Sequence, residues 1–137
     1  MAGVKQFVWP VRVYYEDTDG GGVVYHANYL KFMERARTEW LRSLGFEQTE
    51  LKTEMGVLFV VRELELKYRR PALFNDQLAV ITKLIKMGRS LLEFEQLIER
   101  NGELLTAATV EVVCVDAAQF KPVSIPTPIR NVITESA

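Results

Sequence analysis

The stretch YYEDTDGGGVVYHANYLKFMERARTEWLRSLG, residues 14–45, decides the fold because its periodicity changes partway along. Tyr14 to His26 holds three acids, three consecutive glycines and the chain's only histidine. From Tyr29 onward a helical period takes over. Tyr29, Met33, Ala36, Trp40 and Leu44 recur at steps of three and four, while Lys31, Glu34, Arg35 and Arg42 supply a polar face. This spacing predicts one amphipathic helix of about four or five turns, with Asn28 as N-cap and Gly45 as the C′ residue.

Outward from that helix the chain reads as strands. Phe7 to Tyr15 is rich in Val, Trp and Tyr, and Pro10 marks it as an edge or a bulged strand. Beyond residue 56 come VLFVVRELELKYRRP, QLAVITKLIKM, RSLLEFEQLIER and ELLTAATVEVVCVD, with RRPALFND interrupting at Pro71. Gly88-Arg89 has the Gly-X form of a II′ hairpin, and Asn101-Gly102 is a strong I′ signal, so three of these strands form an antiparallel meander. Leu64, Leu66 and Tyr68 alternate with Glu63, Glu65, Lys67 and Arg69, giving one apolar and one wet face. LAVITKLI is apolar on both faces, and a second copy of the chain is the economical cover. One strand, one long helix and four strands make an α+β domain in which the helix covers one face of an antiparallel sheet.

At 137 residues the chain is expected to form a single domain, residues 1–137. Its 17 basic and 18 acidic residues give a net charge of -1, so nothing global draws it to nucleic acid or an anionic membrane. The single cysteine, Cys114, excludes an internal disulfide and suits a small buried strand residue. The segment MAGVKQFVWPVRVYY lacks a signal-peptide core, and no apolar run is long enough for an integral membrane segment, so a cytoplasmic location is expected.

Chemistry is narrowed by what is missing. One His and one Cys cannot build a His/Cys zinc site, and no metal is expected. There is no G-x-S-x-G elbow, P-loop lysine or G-x-G-x-x-G, and DTDGGG lacks the spacing of an EF-hand. A strand, a glycine turn and a helix start remain, with carboxylates beside them. Free N–H groups at a helix start can receive a developing oxyanion, and Asp17 or Asp19 could act on the same carbonyl carbon or on a water beside it. That is a minimal acyl-transfer site without a serine.

The segment VYYEDTDGGGVVYHANYLKFMERARTEWL, with GRS at the first meander hairpin, resembles the hotdog-fold acyl-CoA thioesterases of the 4-hydroxybenzoyl-CoA thioesterase superfamily. Its D-x-D-x-G-G-V-V-Y-H motif is most similar to the Tol-Pal-associated, YbgC-like branch, and the likeness runs from about Phe7 to Pro122. The resemblance implies a five-stranded antiparallel sheet wrapped around one long central helix, and dimers or tetramers with sites between protomers. It implies hydrolysis of an acyl-CoA thioester to free acid and CoA, with acyl carrier protein as an alternative carrier. No cofactor is implied beyond the coenzyme A of the substrate. The family's catalytic carboxylate falls on Asp19, and Tyr15 and His26 match the tyrosine and histidine that accompany it. The His26 backbone N–H matches the donor that polarises the carbonyl. Arg89 and Ser90 match a location that binds coenzyme A phosphates in the related branch, with Lys86 beside them. Gly20 departs from the pattern, standing where this branch usually has alanine and the related branch proline.

Plainer roles stand beside these. Asp next to Gly ordinarily closes an Asx-turn, Asp17 suits a hydrogen bond to loop amides, and Tyr15 suits packing on the helix. Lys67, Arg69 and Arg70 read as a solvated basic face. A non-catalytic acyl-ligand-binding or scaffold protein of the same fold is the alternative to the enzyme.

Overall fold

The computed structural model describes residues 6–136; Met1 to Lys5, the start of the segment read above as lacking a signal-peptide core, lie outside them. Strand β1 (Gln6–Arg12) leads through the glycine loop to helix α1 (Asn28–Ser43). A short helix α2 (Gln48–Glu50) runs into a π-helical turn (Leu51–Met55) that stops at Gly56, where φ is 67°. Strands β2 (Val57–Tyr68), β3 (Gln77–Met87), β4 (Leu91–Arg100) and β5 (Glu103–Asp116) follow, and helix α3 (Thr127–Ser136) closes the chain. The strands form one five-stranded antiparallel sheet in the order β1-β3-β4-β5-β2. This is the expected α+β hotdog architecture, with a β3-β4-β5 meander at its centre. Among the described residues no helix is long and apolar enough to cross a membrane.

The core lies between α1 and one face of the sheet. Tyr29, Phe32, Met33 and Ala36 are buried on α1 and recur at helical spacing. Across from them, alternation along the strands buries Leu78, Val80 and Thr82 on β3 and Leu92, Phe94, Gln96 and Ile98 on β4. Register aligns these as Val80↔Ile98 and Thr82↔Gln96, and Phe94↔Val110 continues the layer onto β5. Trp40 meets Phe94 edge-to-face with centroids 5.0 Å apart. One buried side chain ties helix to sheet: Gln96 Nε2 donates to Met33 O (3.0 Å) and to Thr82 Oγ1 (2.9 Å), while its Oε1 accepts from Arg37 Nη1 (2.8 Å). Burial removes water from the Arg37 guanidinium and lowers its pKa from the ordinary value. On the opposite face Ile85 of β3 remains exposed.

Several expectations are corrected. The first strand ends at Arg12 rather than Tyr15, because Asp17 draws the chain into a 3₁₀ turn at Tyr15–Asp17. Asn28 is the first helical residue and Ala27 precedes it as N-cap, while Gly45, at φ 98°, takes the left-handed position expected of it. Pro10 lies on an edge strand, where a missing N–H is tolerated. Asn101 and Gly102, at φ 52° and 80°, make the I′ turn. Gly88 has no positive φ, so the other hairpin is not II′: its N–H donates to Leu91 O (2.8 Å), and Arg89 and Ser90 form the tip. Two further helices join the single one read from sequence. In α3 the signal is the four-residue spacing of Ile125, Ile129 and Ile133, all buried, in a segment otherwise dominated by Thr, Val and Pro.

Candidate active site

Residues 13–25 form a small closed loop built on Asp17. This side chain is buried, its Oδ2 accepting from Tyr14 N–H (2.9 Å) and its Oδ1 from Asn28 Nδ2 (2.7 Å). Its backbone carbonyl accepts from Tyr25 N–H (2.9 Å). Asp17 thus joins both ends of the loop to the first residue of α1, in the structural role expected of it. Asn28 is read from sequence as an N-cap; its actual partner lies eleven residues back.

Within that frame, Thr18 bridges to Val24 and Asp19 N–H donates to Val23 O (3.1 Å), which puts Asp19 and the glycines at a hairpin tip. Gly20 and Gly22 both have φ of 90°, a conformation that side chains rarely accept. The departure from the motif at Gly20 therefore has a structural counterpart: neither alanine nor proline is at ease there. Asp19 is exposed; its Oδ1 accepts from Gly21 N–H (2.8 Å) in an Asx-turn, and Oδ2 has no hydrogen-bond partner among the described residues. The plain reading of Asp beside Gly accounts for one oxygen and leaves the other available.

The helix start supplies donors. Asn28 N–H is taken by Tyr25 O (2.8 Å), whereas among the described residues the N–H groups of His26 and Ala27 have no acceptor. The structure anchors His26 through its backbone: Tyr68 Oη donates to His26 O (2.7 Å), and the exposed imidazole rests against Tyr25 with centroids 4.4 Å apart. Tyr15 is 69% exposed and meets Phe74 edge-to-face at 6.1 Å, so it packs on the 71–76 segment and not on the helix. That segment is what sequence reading overlooks. Val24 N–H donates to Ala72 O (2.8 Å), Phe74 N–H to Gly22 O (2.9 Å) and Ala72 N–H to Tyr29 Oη (3.0 Å), so RRPALFND buttresses the glycine loop. Asp76 fixes it in turn, accepting from Leu73 N–H (2.8 Å) and Arg100 Nη1 (2.6 Å). Tyr14, Tyr25, Tyr68, Leu73 and Phe74 are all exposed, and they collar the loop with apolar surface.

The other predicted residues stand elsewhere. Lys86, Arg89 and Ser90 flank the β3-β4 hairpin, whereas the glycine loop contacts the residues just before β3. An eleven-residue strand separates the two groups, roughly 30 Å at strand rise. Tyr15, Asp19 and His26 share one hydrogen-bonded loop and helix start, whereas Arg89 lies beyond the far end of β3. A cavity of about 130 Å³ opens under the C-terminal half of α1, lined by Arg37, Trp40, Phe59, Leu92 and Phe94 among others, and shares no residue with the loop. Cys114 is buried in β5 without a charged neighbour, and burial pushes its thiol up to about 11, so it is inert at neutral pH. Among the described residues no three His, Cys, Asp or Glu side chains converge as a metal site.

A family model described as the thioesterase superfamily matches residues 21–107, which include His26 and the β3-β4 hairpin and begin just after Asp19. Acyl-CoA thioesterase YbgC of Haemophilus influenzae is 49% identical over 124 residues, covering 90% of this chain and 91% of that protein. Acyl-CoA thioester hydrolase YbgC of Escherichia coli O157:H7 is equally similar, at 49% over 90% of this chain and 92% of its own length. Among solved structures, a probable thioesterase from Bartonella henselae superposes with a TM-score of 0.85 at 37% identity, covering 89% of this chain and all of that one.

Proposed function

The chain belongs to the thioesterase superfamily, and we propose that it hydrolyses acyl-CoA thioesters at the loop shared by Asp19 and the start of α1. The observation that carries the reading is the pairing of a free carboxylate oxygen on Asp19 with unpartnered N–H groups at His26 and Ala27, held on one hydrogen-bonded loop. In this mechanism the thioester oxygen takes the helix-start N–H groups, which stabilise the oxyanion as the carbonyl carbon is attacked. Either Asp19 adds to that carbon, giving a mixed anhydride that water then opens, or it takes a proton from the attacking water. In both routes the C–S bond breaks, coenzyme A leaves as its thiolate and is protonated, and the carboxylic acid remains. Tyr15 and His26 border the reacting atoms. No metal or cofactor enters the scheme.

Arg89, Ser90 and Lys86 would hold the phosphates of coenzyme A, and their distance from Asp19 within one chain supports a site completed by a second protomer. The open edge of β2, with Val61 exposed on it, supports a homo-oligomer, a dimer or tetramer. The same reading takes residues 1–137 as one cytoplasmic domain that serves the Tol-Pal system and accepts acyl carrier protein as a second carrier.

Release of free CoA thiol from a panel of aliphatic and aromatic acyl-CoA esters tests this. Saturable turnover is expected; tight binding of every ester without thiol release would instead indicate an acyl-binding scaffold. In the same assay, a mixture of Asp19→Asn and Arg89→Ala proteins should regain activity that each lacks alone at subsaturating substrate. Absence of that gain after subunit exchange would place both residues in one protomer's site.

A further inference from the structure

The last helix reaches back to the β3-β4 hairpin. Arg130 Nη2 donates to Gly88 O (2.8 Å) and to Arg89 O (2.9 Å), and Ile125 N–H donates to the same Arg89 carbonyl (2.8 Å). Cys114 N–H takes Ser90 O (2.8 Å). Every carbonyl from Gly88 to Ser90 is therefore tied to β5 or the C-terminal segment, while the Arg89 side chain stays exposed. Burial of Ile129 and Ile133 seats α3, and Ile125 is buried just ahead of it, so Arg130 extends from a fixed base. Among the described residues, none of Lys86, Arg89 and Arg130 lies within 4.0 Å of a carboxylate, although seven such pairs form elsewhere. Arg89 and Arg130 thus come to one hairpin turn without a carboxylate within 4.0 Å among the described residues, with Lys86 one strand position before Met87 and opposite Glu93.

We propose that Arg130 is a positioning residue for phosphate recognition: it sets the 88–90 turn so that Arg89 and Ser90 face the phosphates of the coenzyme A ester. This rests on the reading of that hairpin as the coenzyme A site. A guanidinium is suited to the task because one terminal nitrogen, Nη2, carries two N–H groups in a fixed plane and serves two adjacent carbonyls at once. The turn has no glycine at positive φ to fix its shape, and the bracing from α3 supplies what the turn sequence does not.

The test compares two thioesters of one acyl group, the CoA ester and the N-acetylcysteamine ester, which carries no phosphate. For Arg130→Gln, KM for the CoA ester should rise about tenfold or more, the loss typical of a charge-assisted hydrogen bond, with kcat little changed. KM for the phosphate-free ester should not move. Arg130→Lys should restore only part of the affinity, since it keeps the charge but loses the rigid planar placement of the donor nitrogen. The double variant Arg89→Ala, Arg130→Gln should lose less than the product of the two single losses, because part of the effect of Arg130 passes through Arg89. An unchanged KM in Arg130→Gln beside a raised one in Arg89→Ala overturns the proposal and leaves the coenzyme A site standing. Equal losses with both esters, or failure of both Arg130 variants to fold, makes Arg130 merely structural and overturns it too. An unchanged KM in Arg89→Ala removes the coenzyme A reading of the hairpin, and the role of Arg130 with it.

Discussion

Two aspartates two positions apart have opposite environments. Asp17 is buried with both oxygens occupied, while Asp19 is exposed with one oxygen unpartnered among the described residues, the difference on which the proposed division of roles rests. The residue pattern alone places both beside a helix start; the resemblance assigns the chemistry to Asp19 and leaves Asp17 a hydrogen bond to loop amides, while its second partner, Asn28, reads from sequence as an N-cap. His26 is similar: its chemistry suggests an imidazole, whereas the contacts fix its carbonyl through Tyr68, a residue forty-two positions away. Cys114 offers a test at this scale. Its folded thiol titrates at about 11, against about 8.5 in an unfolded chain, so between those values only the unfolded state has lost its proton. Stability from the neutral buried thiol is therefore complete below about pH 8 and is lost as pH rises toward 11. Under reducing conditions, the stability advantage of the wild-type chain over Cys114→Ala should shrink across that window in denaturant titrations. A constant difference would mean that the thiol titrates alike in both states.

At the scale of elements, the strands of the meander were legible almost to the residue, because alternation and turn chemistry are local. β3 and β5 begin and end where their sequence runs do, and Asn101-Gly102 makes the turn its composition demands. The Gly88-Arg89 turn departs from the II′ form its sequence suggests, and its carbonyls are held by Arg130 of α3, a contact across forty-two positions that no local pattern encodes. α3 itself was hidden by weak helix formers, although its isoleucine spacing carried the signal. The junction between α1 and the sheet depends on Gln96, whose polar side chain in an apolar strand position is explained only by Arg37, Met33 and Thr82 around it. Gln96→Leu leaves the desolvated Arg37 guanidinium without its acceptor and should cost about 2 to 3 kcal/mol, read as a lower urea midpoint with unchanged slope. An unaltered midpoint would show that water replaces the glutamine at no cost.

For the whole molecule, the glycine loop and the β3-β4 hairpin stand at opposite ends of β3. The glycine loop carries a carboxylate, helix-start donors and a collar of exposed aromatics, and the β3-β4 hairpin carries cations held by α3. Sequence identified both groups through their motifs, but the length of β3 that separates them emerges only from the folded sheet. Local chain geometry joins Asp19 to the start of α1 through a few hydrogen bonds. On the proposed reading, bringing coenzyme A's phosphates within reach is left to assembly.

The measurement that bears most directly on this account is the turnover of Asp19→Asn beside Asp17→Asn, each with its thermal melting curve. Asp19→Asn should melt with the wild-type chain yet lose about a hundredfold or more in kcat for an acyl-CoA ester, the scale of a removed catalytic carboxylate. Asp17→Asn should melt several degrees lower, since it weakens the bonds to Tyr14 and Asn28 that close the loop. Wild-type turnover in a fully folded Asp19→Asn protein would contradict the account.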